Sequence, residues 1–149
     1  MKIAGVAPQI AIPTFIYMLI TVITDQLTNS LFRITQSNYS IFLVIGILLI
    51  LVGIIVVVNV ARQLRRSFSA DILMTEGLYK IFRNPMYVSY LILIIPGICM
   101  LLNSWLVFST IIINFILFRI YIKKEYKYLE VKYGEEYKSY LIKVWCKYL

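Results

Sequence analysis

The stretch from Ile41 to Ala61 carries no charged side chain. A helix of about twenty apolar residues crosses the ~30 Å hydrocarbon core of a bilayer. Within that core only a helix or a closed barrel satisfies its own backbone groups. This run therefore commits the chain to a membrane, and its length favours a helix over the much shorter segments of a barrel. Three further apolar runs accompany it. The first is centred on Ile10 to Ile23, starts behind Pro8 and Pro13, and ends at Asp25. Only Lys2 precedes it, and no small-x-small cleavage pattern closes it, so a retained span rather than a signal peptide is expected. The third starts at Met86 and the fourth at Trp105, with Asn103-Ser104 as their only break. So short a connection requires an antiparallel helical hairpin. Pro96-Gly97 is expected to kink the third span. The expected spans are about 8–27, 40–61, 85–102 and 104–122.

Composition agrees. Hydrophobic residues make up 61% of the 149-residue chain and charged ones 15%, too apolar a balance for a soluble domain of this size. The net charge of +8 is concentrated beside the spans. Arg62, Arg65, Arg66, Lys80 and Arg83 follow the second, and a lysine-rich tail from Lys123 follows the fourth. The loop between the first two spans holds only Arg33. The positive-inside rule places both termini and the 62–84 loop in the cytoplasm. No basic run stands apart from a span, so nucleic acid is not an expected partner. Membrane lipids are. The sequence contains no histidine, which removes the usual neutral-pH base and the commonest transition-metal ligand. Cys99 and Cys146 have neither metal nor redox spacing, and no metal site is expected. Catalysis must fall to Glu, Asp, Tyr, Arg or a cofactor.

The fold expected is therefore all-α: a polytopic membrane protein of four transmembrane helices, with a tight hairpin between spans three and four and a cytosolic C-terminal helical segment. Residues 1–149 read as one membrane domain, with segments 62–84 and 123–149 outside the bilayer. Gly134 is placed to end the helix that leaves the fourth span.

Two polar segments stand out. The first is Gly77-Leu78-Tyr79-Lys80-Ile81-Phe82-Arg83-Asn84-Pro85-Met86-Tyr87. Asn is a strong N-cap and Pro suits the first helical position, so Asn84 is expected to cap the third span. The free N–H groups of a helix start suit an anionic ligand group, and Arg83 beside them can grip a carboxylate. The plain alternative is that Arg83 sets topology. Gly77 suggests a tight turn walled by Tyr79 and Tyr87. The second segment runs from Glu125-Tyr126 through Leu129, Tyr133-Gly134 and Tyr137 to Tyr140. An interfacial aromatic belt explains part of its tyrosine content.

Together the segments resemble the isoprenylcysteine carboxyl methyltransferase and phospholipid methyltransferase family of integral membrane enzymes. The family pattern Gly-x-Tyr-x-x-x-Arg-His-Pro-x-Tyr appears here with Gly77, Tyr79, Arg83, Asn84, Pro85 and Tyr87. The later Glu-Glu-x-x-Leu-x-x-x-Phe-Gly-x-x-Tyr-x-x-Tyr pattern appears with Glu125, Tyr126, Leu129, Tyr133, Gly134, Tyr137 and Tyr140. The resemblance covers about residues 70 to 145. It implies an S-adenosyl-L-methionine-dependent methyltransferase whose lipophilic substrate enters from the bilayer, most like the isoprenylcysteine carboxyl enzymes, with phospholipid, thiol or small acid as the alternative acceptor. It also implies that segments 62–84 and 123–149 enclose the cofactor. The implied binding residues are Gly77, Tyr79, Arg83, Asn84, Pro85, Tyr87, Glu125, Tyr128, Tyr137 and Tyr140, with Glu125 and Arg119 in catalytic roles. Three positions depart from the pattern. Asn84 stands for His, Tyr126 for the second Glu, and Tyr121 for an Arg one turn before Glu125 in the isoprenylcysteine enzymes. These bear on the acceptor more than on the cofactor. Two other classes stay open. An NADPH-dependent membrane reductase would bind the nicotinamide cofactor instead. A non-enzymatic lipid- or partner-binding protein would bind neither.

Overall fold

The structure, a computed structural model, describes residues 6–28, 31–35, 37 and 39–147. Four helices among them are long and apolar enough to cross a membrane. Helix α1 is Ala7–Leu27 and α2 is Tyr39–Ala70. The third span is built in pieces: α3 Pro85–Ser89, a π turn at Tyr90–Ile94, and α4 Ile95–Leu102. Helix α5 is Trp105–Lys143. No strand forms among the described residues, only isolated bridges.

Length explains where the polar end lies. At ~1.5 Å per residue, the 32 residues of α2 reach ~48 Å, well beyond a ~30 Å core. The excess carries Arg62, Arg65 and Arg66. Helix α5, with 39 residues, overshoots on the same side and carries Glu125 and the tail tyrosines. The start of the third span faces the space between these two extensions. Ile47, Leu48, Leu51 and Ile55 are exposed on α2, as a lipid-facing surface requires.

Lipid tails are as apolar as leucine, so the spans must hold together by close packing and hydrogen bonds. Helix α2 packs on the third span, and α1 packs on α5. Between α2 and α4 the backbones touch. A Cβ on Gly97 would lie 2.8 Å from the carbonyl oxygen of Gly46, and one on Gly46 would lie 2.8 Å from that of Gly97. Further along α2, the Ser89 hydroxyl donates to the Gly53 carbonyl at 2.9 Å. Between α1 and α5, Thr14 donates to Asn114 Oδ1 at 3.3 Å, both fully buried. Exchanges of this kind in bilayers contribute about 0.6 kcal/mol on average.

Both expected helix breaks are present. Pro96 interrupts the third span as expected, though one turn ahead of its own position. The helix departs from α geometry there, at Tyr90–Ile94, because Pro96 removes the donor that the carbonyl four residues back would use. Pro96 then sits in the first turn of α4, where proline is well tolerated. Gly134 ends the helix that leaves the fourth span, as expected: its backbone is not helical (φ 48°, ψ −119°), and α5 is two helices joined across a kink there. Helix resumes to Lys143 because Tyr137 and Tyr140 bury themselves against Leu73 and Val144. The 3–4 hairpin forms as expected, with Asn103 in the left-handed region (φ 49°, ψ 41°) and its side chain clamped to Thr35 in both directions, at 2.7 and 3.2 Å.

Because the α2–α4 contact is backbone on backbone, no rotamer change can admit a larger residue. Gly97→Leu is expected to cost at least the about 1–3 kcal/mol of an overpacked core. Thermal unfolding in detergent should show a lower midpoint for this variant, while Ile92→Leu on an exposed face should leave the midpoint unchanged.

Candidate active site

The two polar segments, far apart in sequence, are drawn together at the overshooting ends of α2 and α5. A backbone zipper joins them. Arg83 N–H donates to the Cys146 carbonyl at 3.2 Å, Cys146 N–H to Ile81 at 2.7 Å, and Trp145 N–H to Lys80 at 3.3 Å. The bend at Gly134 makes this return path available. The Tyr140 hydroxyl adds a bond to the Tyr79 carbonyl at 2.8 Å.

Arg83 lies at the centre. Its guanidinium carbon sits 3.2 Å from the centroid of the Tyr126 ring, a close cation–π stack. Its Nε and Nη2 donate to the Tyr137 hydroxyl at 3.0 and 2.5 Å. Among the described residues no carboxylate forms an ion pair with it. A half-buried guanidinium held by neutral rings still needs a counter-charge.

Asn84 is buried at the N-cap position, yet its side chain does not cap. This corrects the expectation from sequence. The backbone of Asn84 (φ −134°, ψ 67°) starts the helix by accepting from Val88 N–H at 3.0 Å. Its amide instead donates to the Tyr126 hydroxyl at 2.5 Å. Two positions that differ from the family pattern are thus partners of each other. Pro85 is fully buried at the first helical position.

Glu125 forms the other pole. Tyr87 donates to its Oε2 at 3.0 Å, and the Tyr87 ring packs on Phe118 with centroids 5.5 Å apart. The backbone amide of Val6, at the start of α1, also bonds the carboxylate. The positive end of α1 therefore faces this negative charge. Glu125 lies one turn beyond the apolar stretch that ends at Ile122. Burial raises its carboxyl above the usual carboxylate range, against the two hydrogen bonds, which pull it down. The Tyr79 hydroxyl is pushed above its ordinary value first by burial, then by the charge of Glu125 and by Tyr140. Tyr79 thus stays protonated at neutral pH.

Gly77 has φ 61°, a conformation that favours glycine, and it starts the 3₁₀ turn Gly77–Lys80. A Cβ there would lie 3.0 Å from Gln63 Oε1, a buried acceptor without a hydrogen-bond partner.

The structure thus brings together Gly77, Tyr79, Arg83, Asn84, Pro85, Tyr87, Glu125, Tyr137 and Tyr140. Two other residues named from sequence take no part in this cluster's hydrogen bonds. Arg119 is exposed and makes no hydrogen bond or ion pair with Glu125, six residues on, but its charge acts on the Tyr126 hydroxyl, seven residues on and on the same helix face. Tyr128 is half-buried and joins none of the hydrogen bonds above. Sequence reasoning missed Tyr126 as a partner of Arg83, and it missed Gln63 and the Val6 amide. The pairing of two departures from the family pattern was the available signal for Tyr126. A backbone amide offers none.

Chemically, the arrangement offers a cation seeking an anion, a half-buried carboxylate seeking a cation, and phenols between them. No curated protein and no solved structure matches the chain. Residues 41–136 match the phospholipid methyltransferase family, a stretch that runs from α2 past Glu125 and covers well over half of the chain. The chain belongs to that family and is a multi-pass membrane methyltransferase.

Proposed function

We propose that this methyltransferase uses S-adenosylmethionine and methylates the amine of a phospholipid that enters from the bilayer. The observation that carries the acceptor class is Glu125, a half-buried carboxylate bonded by Tyr87 and the Val6 amide. An ammonium headgroup is attracted to it. A prenylcysteine carboxylate meets a like charge there, and Tyr121 leaves no Arg on that turn to offset it. The reading from sequence placed the isoprenylcysteine acceptor first. The family matched and this carboxylate favour the phospholipid amine.

The residues fit the cofactor. Arg83 has no ion-pair partner among the described residues and suits the methionine carboxylate. The hydroxyls of Tyr126 and Tyr137 already accept from Asn84 and Arg83, so their protons are left to donate to a ligand acceptor. When bound, the sulfonium supplies an electrophilic methyl and leaves as a thioether that keeps the electron pair of the broken C–S bond. Glu125 takes a proton from the acceptor ammonium and exposes the nitrogen lone pair, which forms the new N–C bond. The methylated nitrogen carries the positive charge away, and Glu125 returns its proton to solvent. Tyr87, fixed by Phe118 below and Glu125 above, orients the carboxylate. Segments 62–84 and 123–149 enclose this site on the cytoplasmic side, the orientation their Lys and Arg content supports.

Arg83→Ala should weaken S-adenosylhomocysteine binding, measured by calorimetry in detergent, by about one to two orders of magnitude, as loss of a charged hydrogen bond of about 1.5–3 kcal/mol implies. Unchanged affinity would sink the carboxylate assignment, and binding of NADPH in its place would favour a reductase. Glu125 acts as a base only when ionised, so the rate of methyl transfer to phosphatidylethanolamine should fall as pH drops through its raised pKa. The acidic limb should lie above ~4.3, the ordinary glutamate value. Glu125→Gln should abolish that limb and most of the rate. A prenylcysteine analogue methylated faster than the phospholipid would overturn the acceptor. Asn84→Ala and Tyr126→Phe should each lower cofactor affinity, and the double variant should lose no more than Tyr126→Phe alone, since that change already breaks the bond to Asn84.

A further inference from the structure

At the opposite end of the bundle from Glu125 lies a cavity of about 450 Å³, lined by Asp25, Gln26, Arg33, Thr35, Tyr39, Leu102 and Asn103. It is a built site. The 31–35 loop is stitched to the 3–4 hairpin by Trp105 N–H to Phe32 (2.8 Å), Ile34 N–H to Asn103 (3.1 Å), and the Arg33–Ser104 bridge. Tyr39 ties α2 to the same corner by donating to Leu101 at 2.9 Å.

Asp25 is 5% exposed, and its Oδ1 is buried without a hydrogen-bond partner. A buried acceptor left in this way needs a donor. Arg33 lies in the same lining, but the two make no ion pair. The wall thus presents a buried negative group and an exposed positive one, held apart. A ligand that satisfies both carries an N–H cation and an anion. Its N–H must be real, since a quaternary ammonium cannot donate to Oδ1. The rim indicates a hydrocarbon tail as well. Leu27 and Leu31 are each 79% exposed and Trp105 is 63% exposed, all at this membrane face.

We propose that this cavity binds the headgroup of an amine-bearing phospholipid in the leaflet away from the methyl-transfer site. Asp25 receives the ammonium, Arg33 the phosphate, and the acyl chains lie against the apolar rim. This lipid is held and not methylated, because it sits across the membrane from Glu125.

The test is native mass spectrometry of the full chain in detergent, titrated with phosphatidylethanolamine, phosphatidylcholine or phosphatidylglycerol. Phosphatidylethanolamine should be retained at a site that Asp25→Asn weakens by about tenfold or more. Arg33→Gln, at an exposed position that tolerates substitution, should weaken it too. Both variants should keep their affinity for S-adenosylhomocysteine. Glu125→Gln should leave this copy in place. Any copy that Glu125→Gln removes belongs to the methyl-transfer site, so failure of the acceptor reading is separable from failure of this one. Equal retention of the three lipids, or retention unaffected by both Asp25→Asn and Arg33→Gln, overturns the proposal. Soluble phosphoethanolamine binding as tightly as the lipid overturns its lipid part.

Discussion

A guanidinium held against two tyrosines organises the polar end of this protein. Arg83 belongs to the loop before the third span, Tyr126 to the end of the fourth, and Tyr137 to the segment past Gly134. Arg83 meets Tyr126 because α5 overshoots the bilayer, and meets Tyr137 because the chain then bends at Gly134. Charge drives the meeting, since a half-buried cation is tolerated only where rings and hydroxyls replace its water. The backbone pairing of residues 80–83 with 145 and 146 then fixes the loop from the other side. The result is a cation with its donors directed and its counter-charge still to come, which suits a cofactor that brings a carboxylate.

The spans below serve this end by being rigid. Their surfaces gain nothing from excluding lipid, so contact has to be close. The glycine pair at 46 and 97 brings α2 and α4 to backbone distance. Ser89 and Asn114 then place hydrogen bonds at depths where few competitors exist. The π turn at Tyr90–Ile94 lets the third span carry Pro96 and still aim its first turn at Tyr126 and Glu125. The site is thus mounted on helix ends, whose positions follow from packing deep within the bilayer.

The spans were legible in the sequence because hydropathy is summed over about twenty residues and no single side chain decides it. The hairpin was legible because two residues leave no alternative path. Local features were read less well. Asn84 has the propensity of a cap, and the half-buried Tyr126 hydroxyl competed for its side chain and won. Gly134 does stop one helix, while the second helix beyond it rests on the burial of Tyr137 and Tyr140, a contact that only the fold supplies. Arg119 was named by residue type, and helix phase turns it toward Tyr126 and not toward Glu125. Val6 at Glu125 was beyond reach, because a backbone amide is present at nearly every position and only the packing of α1 on α5 selects this one.

The bond between Asn84 and Tyr126 has a consequence for inheritance. These are two of the positions where the chain differs from the pattern it otherwise follows. Changing one without the other strands a buried donor or strips the ring that Arg83 lies on. An intermediate sequence carrying a single change would be less fit than either end point. The two codons therefore behave as one character, separated by 42 positions along the chain and by one hydrogen bond in space. Lineages should differ at both or at neither.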